Sequence, residues 1–289
     1  MTIERLLQLS EQFEALQGND RVKDLEAALI FRRDEVSDFE SAVYDPFICL
    51  ILQGGKDVHI GNNSVSLAQG DTLLISHALP VLAKITEASP EKPYRALVFS
   101  VDLGILRSLY EEMGEQISDV GATSALVASP ADPTYMEPMM RYLELMDAPL
   151  DAKVLGPMIV KEIHFRLLMS PVGRMLRSLF LVDSHASRIA TAISEIRSSF
   201  RETLVMGDLA QIVGMSPSSF HEHFKTVTGT TPLQYQKDLR LSEARGLLMK
   251  GGLSVSAVAY DVGYESPTHF SREYSRKFGV SPKNHLTLA

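Results

Sequence analysis

The chain has 289 residues, 45% hydrophobic and 22% charged, which suits about two domains with cores of their own and excludes a long disordered tract. Its one cysteine, Cys49, lies in the apolar run PFICLIL, which excludes an intramolecular disulfide and predicts a buried, inert thiol. The formal net charge is −8, but residues 181–289 carry 12 Lys or Arg against 10 Asp or Glu, net +2, leaving −10 for the first 180 residues; acidity confined to one half points to separate tasks for the two halves.

In chain order, an amphipathic helix is predicted over Ile3–Leu16. Its charges at Glu4 and Arg5 stand where a signal peptide would be apolar, and no uncharged run reaches membrane-spanning length, so a cytoplasmic protein is expected. Short alternating segments then read as strands: Ala28–Arg32, Phe47–Gln53, Asp57–Ile60, Ser64–Leu67, Thr72–Ile75, Val81–Ile85 and Ala96–Val101. Gly54-Gly55, Gly61-Asn62-Asn63 and Gln69-Gly70-Asp71 separate them as tight turns, a spacing that predicts a small antiparallel barrel or jelly roll. Helical periodicity takes over at Asp102–Glu112, Tyr135–Met146 and Ala152–Met169. The methionines Met136, Met139, Met140, Met146 and Met158 read as adaptable packing, and the apolar helix pair that carries them as a candidate dimer contact. The polar stretch Val182–Arg188 marks the domain boundary, and everything beyond it reads as helix.

That last third writes one pattern twice. Ala210 aligns with Ala259 and Gly214 with Gly263; after one inserted residue Pro217 aligns with Pro267, Phe220 with Phe270, Phe224 with Tyr274, Gly229 with Gly279 and Pro232 with Pro282. In each copy a short helix ends at a glycine, a serine (Ser216 or Ser266) caps the next helix, and a proline occupies its first turn. This is a helix-turn-helix unit. Rotation by 100° per residue turns Ser218, His221, Glu222 and Lys225 outward in the first copy, and Thr268, Ser271, Arg272, Ser275 and Arg276 in the second. Such side chains reach base edges, with cations for phosphates. Between the copies, Pro232–Lys250 reads as one helix of ~29 Å at ~1.5 Å per residue, close to the ~34 Å between successive major grooves on one DNA face.

Over residues 184–285 the sequence resembles the AraC/XylS family of bacterial transcription regulators. The resemblance is carried by DLAQIVGMSPSSFHEHFK, by Tyr235, Arg240, Ala244, Leu247 and Leu248 of the connecting helix, and by VAYDVGYESPTHFSREYSRKFGVSP. It implies base contacts at Ser218, His221, Glu222, Thr268, Ser271 and Arg272, although many members of the family carry a basic residue in place of Glu222. QGGKDVHIGN and QGDTLLIS resemble the cupin-like sensor domain of such regulators. The expected fold is therefore α+β in two domains: an N-terminal cupin-like antiparallel β-barrel with flanking helices over residues 1–180, for effector sensing and dimerisation, and an all-α tandem helix-turn-helix domain over 184–289, its units at about 206–229 and 255–279. The implied partners are double-stranded DNA at two adjacent major grooves, a small-molecule effector, RNA polymerase and a second copy of the chain.

A cupin-type enzyme is the competing reading, and it needs clustered imidazoles with a carboxylate. His59 stands alone on an outward position, His77 is likewise unpaired, and no nucleophile elbow or phosphate loop is present. No catalytic activity, metal or cofactor is expected. A third reading is a constitutive regulator whose first domain only oligomerises. His77 and Arg95, polar groups at the ends of apolar strands, are the candidate effector contacts.

Overall fold

The computed structural model describes residues 2–18, 22–61, 63–114, 124–181 and 184–286. Asn62 of the predicted turn, and residues 182 and 183 of the predicted boundary, lie outside them. After helix α1 (Thr2–Leu16) the chain makes β1 (Ala28–Arg33), β2 (Glu40–Tyr44), β3 (Phe47–Gln53), β4 (Gly55–Ile60), β5 (Asn63–Ala68), β6 (Asp71–Ile75), β7 (Leu79–Glu87), β8 (Tyr94–Ser100) and, further on, β9 (Leu126–Pro130). The strands form two antiparallel sheets, ordered β1-β8-β3-β6-β9 and β2-β7-β4-β5. The expected barrel is thus an open sandwich. Asp45-Pro46 carries the chain from the second sheet into the first, and β5 reaches β6 on one side. On the other side β1 and β2 end their sheets unpaired with each other.

Sequence patterning missed β2 and β9, and both are edge strands. Glu40–Tyr44 carries one buried residue, and Leu126–Pro130 none, ending at a proline. The outer face of the five-stranded sheet is covered by helices: the Tyr135 hydroxyl donates to Thr72 Oγ1 at 3.2 Å, and Phe99 packs edge-on against Tyr142 at 5.0 Å. These belong to α3 (Pro133–Glu144), which follows α2 (Leu103–Met113, capped by Asp102) and pairs with α4 (Pro149–Met169) before α5 (Arg174–Phe180). Met136, Met139 and Met146 are buried here as packing, while Met158 is 65% exposed.

The C-terminal part is α6 (His185–Ser198), α7 (Met206–Ile212), α8 (Pro217–Thr228), α9 (Pro232–Lys250), α10 (Val255–Asp261), α11 (Pro267–Phe278) and α12 (Pro282–Leu286). Its apolar side chains do not form one core of their own. Phe220, Phe224, Val227, Tyr235 and Leu239 join the core that runs through the sandwich, whereas Leu241, Ala244, Leu248, Val258, Phe270 and Tyr274 form a second, separate cluster. Helix α9 therefore contributes its first half to one core and its second half to the other.

The seam between sandwich and first helix-turn-helix unit is also polar and tight. The Tyr235 hydroxyl donates to the Ala78 carbonyl at 2.7 Å, the Ala125 amide to the Val227 carbonyl at 2.9 Å, and Arg197 pairs with Asp45 at 2.9 Å. At the β4–β5 turn Gly61 (φ +55°) sits so close that a Cβ there would lie 1.9 Å from the Gly229 carbonyl oxygen. Gly18 has a similar positive φ and no neighbour within 4 Å. Gly18→Ala is expected to cost about 1–2 kcal/mol from backbone conformation alone. Gly61→Ala is expected to cost about 1–3 kcal/mol more, because the seam must open; urea unfolding of the two variants against the parent measures the difference.

Candidate nucleic-acid interface

The two repeated units are superposable in their local chemistry. α7 and α10 each have seven residues, and α8 and α11 each have twelve. Gly214 (φ 64°) and Gly263 (φ 86°) supply the left-handed turn between helices, where the Met215 and Tyr264 amides donate back to the Ala210 and Ala259 carbonyls, each at 2.9 Å. Ser216 Oγ accepts from the Ser219 amide and Ser266 Oγ from the His269 amide; Gly229 and Gly279, both at φ 72°, end the second helices.

Each second helix buries its aromatic stripe and exposes the opposite face. Ser218, His221, Glu222 and Lys225 are exposed along α8. Along α11 Thr268, Arg272 and Arg276 are exposed, and Ser271 and Ser275 are half-buried. Ser271 Oγ donates to the Pro267 carbonyl at 2.8 Å. The cations differ in availability. Arg276 lies 3.5 Å from Glu273, which also takes Lys237 at 2.7 Å and the Tyr264 hydroxyl at 2.9 Å; Lys277 is tied to Asp238. Lys225 and Arg272 have no ion-pair partner among the described residues. Burial resists ionisation of Glu273, but Lys237 and Tyr264 outweigh it and hold the carboxyl below its ordinary pKa. A cleft of about 610 Å³ separates the two exposed helices and is backed by α9 and by His59 of the sandwich.

Two side chains of α9 fix this arrangement. The Arg240 guanidinium donates to the Phe200 carbonyl at 2.6 Å, the Glu202 carbonyl at 2.7 Å and the Gly263 carbonyl at 2.9 Å, so one side chain ties the entry of the first unit to the turn of the second. Gln236 Nε2 donates to the same Phe200 and Glu202 carbonyls. A Cβ at Gly263 would lie 2.1 Å from the Arg201 carbonyl oxygen, which requires glycine there for contact as well as for turn geometry. Sequence reading marked Arg240 only through resemblance and missed Gln236. It also missed a stacked pair, His185 at the start of α6 and His223 on α8, with ring centroids 3.6 Å apart. Burial, followed by His223 and Arg188, lowers the pKa of His185.

The two candidate effector contacts lie elsewhere. Arg95, on β8, is 4% exposed and engaged with Glu14 and Glu11 of α1. His77, equally buried, lies in the β6–β7 loop at the seam; Nδ1 is 2.8 Å from Ser76 Oγ, and Nε2 has no hydrogen-bond partner. Among the described residues no group of three or more His, Cys, Asp or Glu side chains could hold a metal ion, and no helix is long and apolar enough to cross a membrane.

A family model described as the AraC-type transcriptional regulator N-terminus matches residues 24–175, and a helix-turn-helix domain model matches residues 209–287. The chain is 22% identical over 241 residues to the HTH-type transcriptional regulator ExsA of Pseudomonas aeruginosa, covering 81% of this chain and 84% of that protein. It is 31% identical over 103 residues to the transcriptional activator RhaS of Escherichia coli, covering 36% of this chain and 37% of RhaS. Among solved structures, ToxT of Vibrio cholerae with bound unsaturated fatty acid aligns over 90% of this chain and 94% of that one, with a TM-score of 0.56 at 15% identity.

Burial makes the stability contribution of His77 at the seam depend on pH. It lowers the imidazole pKa from 6.5 to about 4, the nearby Ala186 backbone offsetting this only in part. The unfolded chain therefore takes this proton first. The stabilisation is complete above pH ~6.5 and is lost as pH falls toward 4, about 2 kcal/mol of it between pH 7 and pH 5. Urea unfolding at those two pH values should show that loss in the parent, and a smaller one in His77→Asn; equal losses would place the acid sensitivity in other groups.

Proposed function

The chain belongs to the AraC-type transcriptional regulators, and on that premise we propose that α8 and α11 enter two successive major grooves on one face of promoter DNA. The repeated turn geometry carries this reading, because two like helices are joined by one helical connector of fixed length. Ser218, His221, Glu222, Thr268, Ser271 and Arg272 are assigned to base edges, and Lys225, Ser275 and Arg276 to phosphates. Arg272, exposed and unpaired, suits bidentate contact with guanine; Glu222 suits a cytosine amino group. Arg272→Ala should weaken promoter binding by ~1 to 3 kcal/mol and relax one base position, while Lys225→Ala should weaken all sequences alike and reduce the salt dependence by about one phosphate. Gel-shift titration at several salt concentrations distinguishes the two. Arg272→Ala binding like the parent would remove it from the readers.

The N-terminal domain is assigned effector sensing. The shared core and the Tyr235, Ala125 and Gly61 contacts support this, since a change within the sandwich reaches α8 without crossing solvent. ToxT, of like fold, is known with an unsaturated fatty acid and with (E)-4-(8-methylnaphthalen-1-yl)but-3-enoic acid; a small organic effector is proposed here by extension. Dimerisation is assigned to the outer face of α4, where Leu150 (75%), Val154 (57%) and Met158 (65%) are exposed one turn apart. Val154→Glu with Met158→Glu should shift the protein to monomer in sedimentation velocity; an unchanged dimer would place that contact elsewhere.

A further inference from the structure

The repeat is longer than its two helix-turn-helix motifs. α6 and α9 end at Ser198 and Lys250, 52 residues apart, and at that spacing the buried Ile189, Ala192 and Ile196 of α6 match the buried Leu241, Ala244 and Leu248 of α9. Arg188 matches Arg240, and each guanidinium donates to the carbonyl of the turn glycine in its own unit, Gly214 or Gly263. Each unit therefore has three helices, α6 with α7 and α8, and α9 with α10 and α11. His223 is the seventh residue of α8 and Glu273 the seventh of α11. Their partners on the leading helices match as well. His223 stacks on His185 with ring centroids 3.6 Å apart, Glu273 takes Lys237 at 2.7 Å, and His185 and Lys237 again stand 52 residues apart. The two units thus tie the exposed helix to the leading helix at one place with different chemistry.

Protons act differently on the two ties. Against its burial, Lys237 and the Tyr264 hydroxyl hold the Glu273 carboxyl below its ordinary pKa, so that pair stays charged in mild acid. The imidazole pair contains no counter-charge. His185 is the first residue of α6, where the helix dipole disfavours a cation. Burial, then His223 and Arg188, lower its pKa. An unstacked imidazole takes the proton first, so the stack is complete above about pH 6.5 and is lost as pH falls below that. Among the described residues, the carboxylates on the helices packed against α6 do not bear on His185: these are Asp208 of α7, Glu222 of α8, and Asp238 and Glu243 of α9, the last two engaged by Lys277 and Arg201. Arg174 and Arg177 of α5 and Lys225 of α8 carry the same sign as Arg188. We propose that His223 and Glu273 are the positioning residues of the two recognition helices, and that the histidine version makes α8 lose its groove in mild acid while α11 keeps its own. This rests on the assignment of α8 and α11 to successive major grooves.

Footprinting of the promoter by the full chain at about pH 7.5 and about pH 5.5 tests the proposal, with Arg272→Ala identifying the α11 groove. The parent should protect both grooves at the higher pH and only the α11 groove at the lower, with affinity reduced about three- to tenfold, the range open to one linked proton over about one pH unit. His185→Lys with His223→Glu gives the first unit the ion pair of the second, and should protect both grooves at both pH values. His185→Phe keeps a stacked ring without its charge; it should lessen the acid loss, and keeps the test decisive if the double variant does not fold. His77 at the seam and the exposed His221 and His269 are present in all three proteins, so comparison among them isolates the pair. NMR titration of the ring signals in the free full chain reads the pair without DNA: His185 should titrate below the ordinary histidine value and rise toward it in His223→Ala. A His185 titration unmoved by His223→Ala, an equal acid loss in the parent and the double variant, or protection of both grooves by the parent at the lower pH would overturn the positioning role. A coupled pair in a chain that protects a single groove at every pH would uphold the tie between α6 and α8 and overturn the two-groove reading.

Discussion

The placement of α8 and α11 relative to each other depends on the Arg240 guanidinium. It spends three donors on three backbone carbonyls that belong to different helix-turn-helix units, and does so from the middle of the helix that spaces them. Backbone carbonyls at the ends of short helices need partners, and a planar fork can serve several at fixed angles where a lysine could not. Distance between the units is set by α9, at ~1.5 Å per residue, and their relative rotation by this side chain, Gln236 and the glycine contact at Gly263. Any account of how the protein reads DNA rests on that geometry.

The division of the core has a mechanical consequence. Because α9 changes core between Leu239 and Leu241, the first unit is packed as part of the sandwich, while the second is held by its own cluster and by α9. Under the effector control proposed above, a ligand that alters the spacing of the sheets would act on α8 through Tyr235, Val227 and Gly229, and on the second unit through α9 and the Arg201 contacts with Asp261 and Gly263. Coupling of this kind needs an element that two sites both bias. The seam is the element proposed for that role. Its close backbone approach at Gly61 and Gly229 leaves no slack, since packed surfaces respond to displacement by switching arrangement and not by gradual deformation.

Much of this was legible in the sequence because the C-terminal half is locally determined. Serine caps, N1 prolines and C-terminal glycines fix helix ends within a few residues, so α9 was placed at Pro232–Lys250 to the residue, and α8 and α11 fall where the repeat put them. The strands with buried alternation were likewise readable. What escaped was non-local. β2 and β9 are edge strands with weak patterns, and closure of a barrel depends on whether edges meet, which no single strand encodes. The surroundings of Arg95 show the same limit: its partners lie 81 residues or more away in sequence, on α1, where no strand pattern points to them.

Hydroxyl-radical footprinting of the full chain on its promoter tests most directly whether α9 delivers both helices to one face of the duplex. Two protected patches about 10 base pairs apart, centred on the same face, are the predicted result. Protection of a single groove, or of two grooves on opposite faces, would contradict it.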